Sequence, residues 1–226
     1  MTALHVIIDG RAYDLPGDYS LLDGLRTAGI ELPALCHDDR LASTGACRLC
    51  EVRVAGEPRL VAACATPLRD GMEIDTAAPD IRETRRALLE MLARHYPADA
   101  VQRFPDKMFH RALVEHGLTG AAAPAASGTF EDSSHPYLRI DMTRCIDCYR
   151  CVRICEDLQG QLVWHVRGRG LDTRVQPDAP TLGAGACVSC GACADTCPTG
   201  AIEDQTVFAL GSPSRRTRTV CPYCGV

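Results

Sequence analysis

The chain has 226 residues, 14 of them cysteine, and a formal net charge of −5, a length that holds one large or two small domains. No apolar run approaches the ~18 residues needed to cross a bilayer, and the start, MTALHVIIDGRAYDLPG, lacks a basic segment followed by an apolar one, so the expectation is a cytoplasmic protein without membrane span or secretory signal. Residues 1–78 hold 7 Arg against 12 Asp plus Glu, whereas the remainder balances 17 against 17; an acidic front disfavours nucleic acid as a partner and suits either plain solvation or a basic protein face.

The first predicted elements lie in LHVIIDGRAYDLP, two short strand-like runs around Asp9-Gly10 that read as a hairpin. In SLLDGLRTAG, Leu21, Leu22 and Leu25 fit one helical face and Gly29 fits a C-terminal stop. CEVRVAGEPRLVAAC offers a second hairpin, with Val52 and Val54 alternating against Arg53 and a turn at Gly56-Glu57-Pro58. Strand pair, helix, strand pair is the order of a β-grasp domain, here residues 1–78. From Asp80 the pattern becomes helical: Asp80 and Glu83 resemble a capping box, Ile81, Leu88, Met91 and Leu92 form a stripe, and Pro97 ends it. GAAAPAASG (120–128) reads as a surface linker, making residues 79–126 a helical connector with its linker. Residues 127–212 carry eight cysteines in two repeats, and 213–226 end in VCPYCGV. The predicted class is α+β: a β-grasp 2Fe-2S ferredoxin-like domain, a helical connector, then a bacterial-ferredoxin-like domain with two 4Fe-4S clusters.

In a reducing compartment an even cysteine count points to metal, not to disulfides. The strongest pattern is CIDCYRCVRICE (Cys145, Cys148, Cys151, Cys155) followed by CVSCGACADTCP (Cys187, Cys190, Cys193, Cys197). Each is C-x2-C-x2-C-x3-C, the run that holds cubanes in two-cluster ferredoxins, and Pro198 completes the second. Two intervening residues let the backbone curl round one cluster while three successive sulfurs reach three corners of the cube. The fourth cysteine then serves the other cluster, so Cys145, Cys148 and Cys151 are paired with Cys197, and Cys187, Cys190 and Cys193 with Cys155. Gly191 and Ala192 are small enough for amides to approach sulfide. Zinc, the competing metal, has no use for the third cysteine of each run. The front block supplies Cys36, Cys47, Cys50 and Cys64, four thiolates for a 2Fe-2S rhomb, with Ser43, Gly45 and Ala46 allowing a close loop.

CRLCEVRV in a β-grasp, followed by a helix and a two-cubane domain, resembles the electron-input module shared by the large iron-sulfur subunit of respiratory complex I, iron-only hydrogenases and the diaphorase subunit of NAD-reducing hydrogenases. SHPYLRIDMTRCIDCYRCVRICEDLQGQLVWHVRGRG and the terminal TVCPYCGV look like the alpha subunit of molybdenum- or tungsten-dependent formate dehydrogenases. That resemblance implies that Cys221 and Cys224 open the motif of a further 4Fe-4S cluster, beside a Mo/W-bis-pterin guanine dinucleotide centre whose domain lies beyond Val226. It also implies a flavin- and NAD-linked beta subunit as acceptor of the electrons from formate. No catalytic residue falls within these 226 positions on that reading. The alternative is a free-standing electron-transfer subunit of a hydrogenase or diaphorase-type complex; a zinc-binding interaction module is the remaining rival.

Many members of these families also carry a cubane held by one His and three Cys between the two blocks. Here His95 stands at the matching place, but no cysteine occurs between Cys64 and Cys145. One imidazole cannot hold a cluster, so His95 is read as a helix-end residue beside terminal carbonyls, and His110 and His116 as packing or surface residues.

Overall fold

The computed structural model describes residues 3–118, 130–215, 217 and 220. The linker expected at 120–128 and the pair Cys221/Cys224 lie outside the described residues. Strands β1 (Ala3–Ile8) and β2 (Arg11–Pro16) form the expected hairpin, with Val6 opposite Tyr13. Asp9 and Gly10 at its turn take φ of 48° and 78°, the left-handed pair that a two-residue turn of matching twist requires. Helix α1 (Leu21–Thr27) starts at Ser20, whose hydroxyl accepts from the Asp23 amide while the Asp23 carboxylate accepts from the Ser20 amide. Its Leu21, Leu22 and Leu25 are fully buried against Val6, Ile8, Val52 and Ile74. Strands β3 (Glu51–Val54), β4 (Val61–Ala62) and β5 (Glu73–Asp75) complete a sheet ordered β2-β1-β5-β3-β4, with β5 parallel to β1. The parallel pairing is possible because α1 and the cysteine loops form the long crossover it needs. Three residues are too few to display an alternation, so β5 is absent from the sequence reading.

Helix α2 spans Pro79–Ala93. Its start corrects the sequence reading: the N-cap is Ala78, Pro79 takes the first helical position, and no side chain caps it. Asp80 instead pairs with Arg53 on β3. The stripe is also rotated. Ile81, Arg85 and Leu89 are buried, whereas Met91 is 65 % exposed. Two further helices, α3 (Ala98–Arg103) and α4 (Met108–Glu115), follow. With α2 they form a core of their own, in which Leu89, Tyr96, Val101, Phe109 and Leu113 pack on Leu35 and Leu49 of the front block, with Ile146 of the third block at the edge. The connector is therefore a wedge between the two cysteine-bearing blocks.

In the third block β6 (Glu131–Asp132), β7 (Leu138–Asp141) and β10 (Ile202–Asp204) form a sheet ordered β10-β7-β6. Strands β8 (Trp164–Arg167) and β9 (Arg174–Pro177) pair as a separate hairpin. Helix α5 (Arg150–Arg153) runs into one wide turn at Ile154–Leu158 that carries Cys155, and α6 (Ala192–Thr196) carries Cys193. Helix α7 (Gln205–Leu210) starts at Asp204, whose carboxylate accepts from the amides of Thr206 and Val207. The architecture is α+β, a 2Fe-2S ferredoxin domain followed by a ferredoxin-like domain with clustered cysteines.

Candidate cluster-binding sites

The front site is a loop problem solved by backbone. Gly45 and Arg48 both take a φ of 60°, curling the chain so that Cys47 and Cys50 face Cys36 and Cys64. Gly45 takes that conformation without penalty, whereas Arg48 must be held in it. Bracing comes from buried Arg85 of α2, whose Nε donates to the Leu49 carbonyl at 2.9 Å and whose guanidinium also donates to the Glu51 carbonyl at 3.2 Å. The Cys47 amide donates to Cys36 Sγ at 3.4 Å. The four sulfurs share protons: hydrogen bonds from Cys47 and Cys64 hold the Cys36 thiol far below its ordinary range, while the same contact and burial push Cys47 far above. Contact with Cys64 lowers Cys50 to about 7, and Cys64 itself is pushed far above the ordinary thiol range. Four clustered sulfurs, three of them buried, are a ligand set in which metal replaces the thiol protons.

The third block brings its eight cysteines together in two groups. Cys145, Cys148, Cys151 and Cys197 line one small cavity with Ile146, Val175 and Ile202. Cys155, Cys187, Cys190 and Cys193 line another with Leu138, Val163 and Trp164. All twelve described cysteines are free thiols. The two repeats share a backbone device: Asp147 and Tyr149 take φ of 52° and 58°, and Ser189 and Gly191 take 59° and 75°. This turns the amides of Asp147 and Ser189 onto Cys145 Sγ and Cys187 Sγ, each at 3.4 Å. A tyrosine in the left-handed region is uncommon, and at Tyr149 it stands where the second repeat has glycine.

Burial dominates the electrostatics here. It pushes Cys145 and Cys151 well above the ordinary thiol range and Cys148 and Cys193 up to about 12. Bare thiolates are disfavoured in such apolar cavities, so these sulfurs ionise only against the positive charge of bound iron. The donor set fits iron-sulfur chemistry: four thiols around each enclosed space, and backbone N–H groups aimed at sulfur.

The sites are fastened to one another by residues that the sequence reading did not single out. Asp38, two residues past Cys36, is 8 % exposed. Its Oδ2 accepts from Arg150 on α5 at 3.0 Å and from the Thr196 hydroxyl on α6 at 2.7 Å, and Arg150 Nε donates to Thr196 Oγ1 at 2.8 Å. Arg40 reaches Asp38 at 2.9 Å and Asp195 at 3.0 Å, and Arg153 donates to the Ala42 carbonyl. The front cysteine loop is thus latched to the two helices that carry Cys151 and Cys193, and Cys36 lies near enough to Cys148 for its charge to help raise the Cys148 pKa. His95 is exposed in the turn after α2, and among the described residues no hydrogen bond reaches it. His110 is fully buried and bonded to Tyr96 and Phe104.

With this geometry in hand, comparison with known proteins is direct. The family described as "2Fe-2S iron-sulfur cluster binding domain" matches residues 1–79, and the "NADH-quinone oxidoreductase subunit 3, ferredoxin-like domain" matches residues 135–203. The front and rear segments of this module are thus similar to 2Fe-2S cluster-binding domains and to the ferredoxin-like domain of NADH-quinone oxidoreductase subunit 3. Two curated relatives of this module are an NADH-quinone oxidoreductase subunit of Rhizobium meliloti, 32 % identical over 98 % of the chain, and the NADPH-Fe(3+) oxidoreductase subunit alpha of Geobacter sulfurreducens, 30 % identical over 96 %. The chain spans only 27 % and 26 % of their lengths. A solved chain of an NAD+-reducing [NiFe]-hydrogenase superposes with a TM-score of 0.78 at 28 % identity, covering 93 % of this module and 90 % of that chain. Formate dehydrogenase is not among the proteins named in these matches. Among the described residues no helix is long and apolar enough to cross a membrane.

Proposed function

We propose that this module relays single electrons between a flavin- and NAD-linked subunit and a metal-dependent catalytic unit. One 2Fe-2S cluster would be held by Cys36, Cys47, Cys50 and Cys64, and two 4Fe-4S clusters by Cys145, Cys148, Cys151, Cys197 and by Cys187, Cys190, Cys193, Cys155. Each cluster, when bound, takes up and returns one electron. The chain's own residues hold the thiolates, line the cubane cavities with apolar side chains and fix the spacing between sites. The observation that carries the reading is the Asp38–Arg150–Thr196 latch, which sets the front cysteine loop directly against the cubane helices. A bridging cluster at His95 is then unnecessary, because the front site abuts the first cubane site without it.

The likeness to a chain of an NAD+-reducing hydrogenase favours a place in a hydrogenase or diaphorase-type assembly. A second reading, the iron-sulfur region of a formate dehydrogenase that oxidises formate to CO2 at a Mo/W-pterin centre, is favoured by VCPYCGV, where Cys221 and Cys224 would begin a third cubane motif. What the gene encodes past Val226 separates the two: completion of the cubane motif begun by Cys221 and Cys224 together with a pterin-binding domain supports formate dehydrogenase, and a frame without them supports the hydrogenase-type subunit. The relay itself is tested by freeze-quench EPR of the anaerobically reconstituted chain mixed with substoichiometric dithionite. The electrons should reach the distribution set by the cluster potentials within the mixing time; a distribution that still drifts between the 2Fe-2S cluster and the cubanes after seconds would refute the relay.

A further inference from the structure

The two cubane sites are built from the same repeat but are not equivalent, and the difference lies in one histidine. His135 precedes β7 and is 2 % exposed. Its Nδ1 accepts from two backbone amides, those of Tyr137 at 3.2 Å and Leu138 at 3.1 Å. That places the ring proton on Nε2. Nε2 in turn lies 3.2 Å from Ser189 Oγ and 3.8 Å from Cys187 Sγ, so its N–H points at a cysteine of the second site. The first repeat has Asp147 where the second has Ser189, and the Asp147 carboxylate sits 3.7 Å from Cys145 Sγ. One cysteine thus faces an N–H donor and its counterpart faces a carboxylate.

Resting on the cluster reading above, we propose that His135 is a positioning residue that raises the reduction potential of the cubane at Cys155, Cys187, Cys190 and Cys193 above that of its neighbour, making it the site where an electron rests. Hydrogen bonds to cluster sulfur stabilise the reduced, more negative state, and their number is among the levers by which proteins set cluster potentials. The two amides that hold Nδ1 fix the ring orientation, so the donor is pre-aimed and independent of solvent. A relay with unequal cubanes has a direction: electrons collect on the second cubane, beside the exposed Cys190 and Val188.

The test is an EPR-monitored potentiometric titration of the full chain after anaerobic reconstitution, with iron and labile sulfide counted in each sample. His135→Phe, which fills the space without a donor, should move one cubane signal to lower potential and leave the other in place. A tenfold fall in the reduced-to-oxidised ratio at fixed poise corresponds to 59 mV for a one-electron couple. His135→Gln, which keeps an N–H, should restore most of the shift. Ser189→Ala, which removes the competing hydroxyl acceptor, should move the same signal upward. Full iron content with both potentials unchanged in His135→Phe overturns the proposal, as does an equal shift of both cubanes. Should His135→Phe fail to load iron, Ser189→Ala decides, an unmoved potential counting against it. Failure of the unmodified chain to bind iron would instead overturn the cluster reading.

Discussion

At the scale of single residues, His110 is the clearest titrating group outside the cluster sites. Burial pushes its imidazole below the ordinary value of about 6.5, while its Nδ1 donates to the Phe104 carbonyl at 2.6 Å and its Nε2 accepts from the Tyr96 hydroxyl at 2.5 Å. The unfolded chain therefore binds this proton more readily than the folded one. The stability contributed is complete above about pH 6.5 and is lost as pH falls through the lower folded value. Thermal unfolding at pH 8 and pH 5.5 should show a larger acid loss for wild type than for His110→Gln, and the variant should be weaker at pH 8 by roughly 1–3 kcal/mol for the partners left unpaired. Equal acid losses would contradict this. Single cysteines give a second residue-scale outcome: Cys145→Ala should remove the iron of one cubane and leave the 2Fe-2S signal intact, measured by iron count and EPR.

The cysteines were the legible residues, since their spacing encodes which sulfurs can reach one cube. Asp38, Arg150, Thr196 and His135 were not, because a side chain 112 or 158 positions away leaves no local trace in the sequence.

At the scale of elements, the latch and the brace around the front loop make separate predictions. The Asp38 carboxyl is held well below the usual carboxylate range, first by the Arg40 guanidinium and then by the Thr196 hydroxyl and Arg150. Its contribution is present above the unfolded value near 3.9 and disappears as pH falls through the folded one. Asp38→Ala leaves Arg150 buried without its carboxylate, a loss on the order of 3 kcal/mol. Clusters should still assemble, but magnetic interaction between the 2Fe-2S centre and the first cubane should weaken in EPR; an unchanged interaction would show that the latch does not set the spacing. Arg85→Met removes the donors that brace the Leu49 and Glu51 carbonyls. Loss of the 2Fe-2S absorbance under a chelator should then be faster, with cubane absorbance lost at the wild-type rate.

Most elements of the front domain could be read in advance, because the Asp9-Gly10 turn and the Ser20 cap are local signals. The start of α2 could not: Pro79 at the first helical position outweighed the Asp80–Glu83 pattern, since proline's fixed φ suits that place and its missing N–H costs nothing there. Helices α3 and α4 are short and take their burial from Leu35, Leu49 and Ile146, residues of other blocks.

For the whole molecule, the described residues form three cores, one of which belongs to the connector. It touches both cysteine-bearing blocks, through Leu35 and Leu49 on one side and Ile146 on the other. The Phe109 amide donates to the Pro198 carbonyl at 3.1 Å, next to Cys197, so the wedge is tied to the cubane site as well as to the front loop. Such an arrangement keeps the front and cubane sites at a fixed spacing, which a relay of single electrons requires.

The central claim is that twelve cysteines hold three iron-sulfur clusters in this order. Iron and acid-labile sulfide per chain, counted on anaerobically reconstituted protein together with EPR of the dithionite-reduced sample, test it most directly. The account predicts about ten irons per chain, one 2Fe-2S signal and two mutually interacting 4Fe-4S signals. Near-zero iron after reconstitution, with zinc retained at the same cysteines, would contradict it and leave a structural zinc protein.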